Sequence, residues 1–270
     1  MNGVPMRVSL LQIEVTEQEA VPDRRERVAE LVRRQGGSDL VVLPELWHVG
    51  AFRFDAFADL AEPLDGPTAS AMSEAARDAG VWLHGGSIVE RAADGSLYNT
   101  SLLFSPDGGR HGTYRKIHRF GFDQGEAALM SRGEQVVATR LPGLELTAGL
   151  ATCYDLRFPE QFRQLVDAGA ELLVVPAGWP ARRRAHWSLL ARARAVESQA
   201  YVLACNTAGT HAGVEQAGFS VVVDPWGEVV AEAGAGEEVL VADIDPRSVA
   251  AIRAEFPALR DRLLGLPQPV

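Results

Sequence analysis

Three residues along this chain are of types that do acyl-transfer chemistry together, and each stands at the end of a strand-like run. Cys153 follows Leu146-Thr147-Ala148-Gly149-Leu150-Ala151-Thr152. The segment after it turns sharply and reads as helix from about Pro159, where a proline's missing N–H is no loss. A thiol at a strand-to-helix turn lies near backbone N–H groups, which lower its pKa and hold a developing negative charge. Taken alone, such a cysteine is more simply a small core residue. Glu45 directly follows the apolar run Leu40-Val41-Val42-Leu43-Pro44. A carboxylate in a partly apolar place has its pKa raised toward that of a useful base, whereas one in a solvated loop does not. Lys116 ends a strand in Tyr114-Arg115-Lys116-Ile117-His118 and is the only lysine in the chain, the other cationic side chains being arginines. An ammonium is a compact point charge, unlike the planar guanidinium used everywhere else. Glutamate, lysine and cysteine in this order make a chemical unit. The thiolate attacks a carbonyl-like carbon, the carboxylate shuttles protons and the ammonium stabilises the oxyanion.

The elements that must position these residues alternate between strand and helix. Residues 8–13 and 40–43 read as strands, the second all-apolar as in a strand buried on both faces. Residues 23–35 carry Val28, Leu31 and Val32 at helical spacing and stop at Gly36-Gly37. A second helix covers 67–79 and stops at Gly80, followed by a strand over 81–89. Residues 99–104 and 112–117 read as two strands joined by the turn Ser105-Pro106-Asp107-Gly108-Gly109. The stretch 118–134 reads as irregular and too polar and glycine-broken for core. The second half then repeats the plan. A strand leads into Cys153, a helix covers 159–168, a strand 171–175, a long helix 185–199 and a strand 201–206. A hairpin follows through Asp224-Pro225-Trp226-Gly227. Runs 40–44 and 172–176 hold equivalent places, which predicts an internal duplication in an α-β-β-α sandwich of two stacked sheets. Residues 1–270 read as one domain, whose tail from about 246 packs on a partner subunit or frays.

Composition excludes several function classes. A net charge of -10 argues against a nucleic-acid groove. No apolar run approaches the roughly 20 residues that span a bilayer, and no signal peptide is read at the start. Two cysteines, Cys153 and Cys205, make no disulfide framework, so a reduced, cytoplasmic compartment is expected, with Cys205 as a core residue. The six histidines are scattered, and no metal site is expected. His118 and His186 read as structural hydrogen-bonding residues.

With Leu43-Pro44-Glu45, Tyr114-Arg115-Lys116-Ile117-His118 and Cys153-Tyr154-Asp155-Leu156-Arg157-Phe158-Pro159-Glu160 in this order, the chain resembles the nitrilase superfamily of carbon–nitrogen hydrolases from Val8 to about Ile244. The resemblance implies the α-β-β-α sandwich, a Glu45-Lys116-Cys153 triad and no metal or organic cofactor. It implies hydrolysis of a non-peptide C–N bond through a thioester, with the oxyanion held by Lys116 and the backbone N–H of Tyr154. Glu126 matches the family's second glutamate, in the loop after the lysine. The motif at Cys153 looks most like the branch that hydrolyses small ω-amides of dicarboxylic acids, which implies a cation for the distal carboxylate. Arg157 and one of Arg182 to Arg184 are the candidates; Arg157 could instead pair with Asp155 or Glu160. A nitrilase or carbamoylase on the same triad, and an inactive binding relative, stay open beside this. The resemblance also implies a homodimer.

Overall fold

The structure is a computed structural model that describes residues 5–265. The chain begins with β1 (Met6–Gln12), α1 (Val21–Arg33), β2 (Leu40–Val42), α2 (Pro67–Ala79), β3 (Trp82–Arg91), β4 (Leu97–Phe104) and β5 (Arg110–Arg115). A one-turn helix, α3 (Glu126–Leu129), leads to β6 (Val137–Leu141), β7 (Leu146–Leu150), α4 (Pro159–Asp167), β8 (Leu172–Ala177) and α5 (Arg184–Ser198). Then come β9 (Tyr201–Asn206), a small hairpin of β10 (Thr210–His211) and β11 (Val214–Glu215), β12 (Val221–Val223), β13 (Val229–Glu232), β14 (Glu238–Ile244) and α6 (Arg247–Glu255).

Two six-stranded sheets result, ordered β14-β1-β2-β3-β4-β5 and β13-β12-β9-β8-β7-β6. In each, three parallel strands form the centre, β1-β2-β3 and β7-β8-β9, and an antiparallel hairpin extends one side. The expected duplication is therefore a matching strand order. What sequence reading missed is the sixth strand on each opposite edge. β6 precedes β7 directly and pairs with it, whereas β14 returns from the far end of the chain to pair with β1, Met6 opposite Ile244.

Strand periodicity sorts the core into layers. Leu40 and Val42 point between the sheets, into a cluster with Leu150, Val174 and Leu203 of the other sheet, while Val41 points to the helices. Val28, Ala29 and Val32 of α1 and Met72, Ala75 and Ala76 of α2 cover the first sheet. Phe162 and Leu165 of α4 and Trp187, Ala191 and Ala195 of α5 cover the second. The layers are α-β-β-α, as expected, and each fully buried Val or Leu stabilises them by about 1.5–3 kcal/mol. Local punctuation sets the helix ends. α2 starts on Pro67 and stops at Gly80, whose φ of 68° is the left-handed conformation glycine favours. α6 folds back on its own chain: Arg253 donates to the carbonyls of Gln199 and Ala170, and Tyr201 and Ser248 share a hydrogen bond. The stretch 118–134 corrects its expectation. Glu126 and Met130 are buried, because the loop folds inward over the strand ends rather than out into solvent.

Candidate active site

Four strand ends converge between the sheets. β2 runs on through Leu43-Pro44 to Glu45, β5 to Lys116, β7 to Cys153 and β8 to Gly178. The loop after Glu45 is pinned to the neighbouring strand: Leu46 N–H donates to Ser87 Oγ and Trp47 Nε1 to the Gly85 carbonyl. Gly86, at φ 68°, is required there, since a Cβ would lie 2.0 Å from the Pro44 carbonyl oxygen. Cys153 opens a single 3₁₀ turn, Cys153–Arg157, with φ at 46°. A non-glycine residue held there stores backbone strain of about 1–3 kcal/mol.

Lys116 Nζ donates to Glu45 Oε1 and to Glu126 Oε2, both at 2.7 Å. Asn99 Nδ2 bridges the same two carboxylates, at 2.8 Å to Glu45 Oε1 and 2.9 Å to Glu126 Oε1. Glu126 Oε2 also accepts from Phe120 N–H, and Glu45 Oε2 from Gly178 N–H at 2.8 Å. Lys116 and Glu45 are each 2% exposed and Cys153 8%, so no bulk water screens these charges.

Above them opens a narrow cavity, about 380 Å³ of empty space when the open solvent at its mouth is included. Glu45, Lys116, Glu126, Cys153, Tyr154 and Arg157 all line it. Phe52, Phe54, Phe120 and Trp179 form much of its wall, and Arg183 stands at it with Arg157. Arg157 bonds neither Asp155 nor Glu160; its guanidinium lies 4.7 Å over the Trp179 ring and meets His186 Nδ1 at 3.2 Å. Arg183 lies 5.1 Å over Phe120. Among the described residues, no group of three or more His, Cys, Asp or Glu could hold a metal ion, and no helix is long and apolar enough to cross a membrane.

Residues 7–254 match the family model described as carbon-nitrogen hydrolase. This chain belongs to the carbon–nitrogen hydrolase family. Among its relatives is the 2-oxoglutaramate amidase of Paenarthrobacter nicotinovorans, 42% identical over 260 residues, which cover 94% of this chain and 88% of that protein. The Omega-amidase NIT2 of Mus musculus is 36% identical over 270 residues, covering 96% of each. A solved structure of a mutant amidase from Nesterenkonia sp. AN1, with the acetamide moiety of fluoroacetamide added covalently at its active-site cysteine, superposes with a TM-score of 0.84. It is 25% identical and covers 97% of this chain and 95% of that one.

Charge in this hydrolase is set by burial and by the pairs. Burial alone would lower the Lys116 pKa, but Glu126 and Glu45 outweigh it and hold the ammonium well above its usual value. Burial raises the Glu126 pKa, opposed by Lys116 and reinforced by Glu45. Burial also pushes the Cys153 thiol well up, with the charge of Glu45 adding to the rise and that of Lys116 opposing it. The resting cysteine is thus a neutral thiol, its Sγ 4.0 Å from the Gly178 carbonyl oxygen. Cys205, by contrast, is a core residue as expected, its thiol donating to the carbonyls of Leu11 and Val42. His118 is the structural residue expected, its Nδ1 bonded to Asp155 Oδ1 at 2.8 Å and its ring stacked on Phe158. Sequence reading did not single out Asn99, Gly178 or the aromatic wall. The one available signal was an asparagine inside a strand, where that residue is disfavoured.

Proposed function

We propose that this hydrolase is an ω-amidase that releases ammonia from the terminal amide of a small 2-oxo-dicarboxylate monoamide, with Cys153 as nucleophile. The observation that carries this reading is the pair of guanidiniums at the cavity. Neither Arg157 nor Arg183 forms an ion pair with a carboxylate among the described residues, although the chain carries a net charge of -10. Burial and the neighbouring Arg182 and Arg157 lower the Arg183 pKa, so an incoming carboxylate would relieve that repulsion. Arg182 does not line the cavity. The names of the two amidase relatives, 2-oxoglutaramate amidase and omega-amidase, support the same substrate class.

The steps follow from the lone pairs. Glu45 Oε1 is engaged by Lys116 and Asn99, whereas Oε2 accepts only from Gly178 N–H and keeps a site for the thiol proton. That proton moves to Glu45 as sulfur bonds to the amide carbon, and the carbonyl electron pair goes onto oxygen. Lys116 and the N–H of Tyr154 stabilise this oxyanion. The C–N bond then breaks, Glu45 gives its proton to nitrogen, ammonia leaves and a thioester remains. A water that loses its proton to Glu45 attacks the thioester, releasing the acid and restoring the thiol. Glu126 holds Lys116 in place throughout.

The test compares an ω-amide acid with its neutral counterpart, in which a methyl group replaces the distal carboxylate. A site built for the carboxylate loses on the order of a hundredfold in kcat/KM on the neutral analogue. Equal rates refute the carboxylate-reading pocket, and faster ammonia release from matched nitriles or carbamoyl compounds would move the reading to those substrates.

Three further proposals accompany this one. Residues 1–270 act as one hydrolase domain, supported by the core cluster shared between the sheets and by the family match over 7–254. The protein works as a homodimer. Leu189 and Val196 on α5 are exposed, and Trp226 and Phe256, 6.2 Å apart, add exposed apolar surface in the same half. Light scattering should give about twice the 29.1 kDa chain mass. A catalytic thiol and a second free cysteine suit a reducing, cytoplasmic compartment.

A further inference from the structure

We propose that Asp155 is a positioning residue that holds Cys153 and Lys116 in register by clamping the segments that carry them. Asp155 is fully buried and does not line the cavity. Its carboxylate accepts four hydrogen bonds. Oδ2 takes the Tyr114 hydroxyl at 2.6 Å and Thr152 N–H at 2.8 Å. Oδ1 takes His118 N–H at 3.0 Å and His118 Nδ1 at 2.8 Å. Thr152 and Asp155 bracket Cys153, and Tyr114 and His118 stand two residues to either side of Lys116. One buried carboxylate therefore ties the nucleophile's turn to the strand end that carries the ammonium.

The tether leaves its members little freedom. The Tyr114 oxygen also accepts from Ile117 N–H at 3.1 Å and Gln161 Nε2 at 2.9 Å, so its own proton is committed to Asp155. Burial, with the Asp155 charge, raises the Tyr114 pKa well above its usual value and keeps that hydroxyl a neutral donor. The clamp also explains how Cys153 persists at φ 46°, because a strained residue survives only where its surroundings over-determine it. Thr152 is tied by the same carboxylate on one side, and the His118 ring stacks on Phe158, 3.8 Å between centroids, on the other.

The proposal rests on Cys153 being the nucleophile, and two variants test it. Asp155→Asn keeps the size of the side chain but turns an NH2 group toward donors. It should lower kcat about 100-fold while KM stays within about threefold, as expected when reacting groups are misplaced rather than substrate binding lost. Tyr114→Phe removes one tether without changing charge and should lower kcat about tenfold. Alkylation of Cys153 by iodoacetamide, followed by mass spectrometry, should slow in both variants, and it needs no knowledge of the substrate. Thermal melting and circular dichroism establish the folded fraction, and if Asp155→Asn does not fold, Tyr114→Phe decides alone. A folded variant with kcat and Cys153 alkylation within about twofold of wild type overturns the clamp. Cys153→Ala in the same assay separates the two readings. Turnover retained there removes the nucleophile and the clamp with it, whereas turnover lost there but kept in the other variants removes only the clamp.

Discussion

The two halves of the molecule end their second parallel strands along the same path and with different chemistry. β2 leads through a proline to Glu45, and β8 leads through Pro176-Ala177 to Gly178. The first end offers a buried carboxylate; the second offers a bare backbone N–H, and it donates to that same carboxylate at 2.8 Å. The first strands differ likewise. β7 leads to Cys153, whereas β1 leads to Ile13 and Glu14 at the corresponding place. A symmetric scaffold thus carries an asymmetric site. Neither half holds both Glu45 and Cys153, so the two side chains come to one cavity only where the sheets face each other. The close approach has a steric condition, because a Cβ on Gly178 would lie 2.4 Å from the Ala51 Cβ.

The sharpest way to break this comparison is to remove the chemistry from one half. Cys153→Ala should reduce kcat by a factor on the order of 10⁴ or more, since members of a catalytic unit fail together. Cys205→Ala, also in the second half but deep in the core, should cost about 1 kcal/mol of stability and leave kcat unchanged. Steady-state kinetics beside urea unfolding separates the two, and similar activity losses would mean that the half supplies packing rather than a nucleophile.

A smaller effect probes the junction of the halves. Gly178→Ala must push Ala51 or the β8 end aside, which should cost about 1–3 kcal/mol and displace the N–H that holds Glu45. The activity loss should be about tenfold, in kcat more than in KM. A variant with unaltered kcat would show that Glu45 does not need this donor.

The smallest effect concerns buried imidazoles, His48 and His84 in the first half and His211 in the second. Burial pushes His48 down to about 3, and His84 and His211 down to about 4. The folded state keeps them neutral where the unfolded chain, with ordinary values of about 6.5, takes up protons. Their contribution to stability is therefore complete above about pH 6.5 and is lost as pH falls toward 4 and 3. His84→Gln and His211→Gln should each remove about one proton from the slope of unfolding free energy against pH between about 4 and 6. An unchanged slope would show that the histidine in question is not held neutral.

How much of this was legible depends on how local the determinants are. The start of α2 at Pro67 and its stop at Gly80 are written in residues that act on their own backbone, so the expected 67–79 matched. The all-apolar β2 and β8 announced central strands because both of their faces are covered. β14 was not legible: Glu238–Ile244 alternates buried and exposed residues as many edge strands do, and nothing local names β1 as its partner. Glu126 sits in a glycine-broken polar stretch that reads as exposed loop. Only the family resemblance pointed to it, and its burial depends on the Lys116 ammonium that meets it.

By itself the sequence determined the order Glu45, Lys116, Cys153, the strand ends that carry them and both ends of α2, because each is fixed by residue type and by neighbours a few positions away. Tertiary structure alone decided that Asn99 bridges two carboxylates and that Gly178 supplies the donor to Glu45. It likewise decided that Arg183 rather than Arg182 reaches the cavity, and that Asp155 joins the Lys116 and Cys153 segments. Those contacts link residues as far apart as Glu45 and Gly178, and which polar groups meet is settled only when burial leaves each with no water to bond instead.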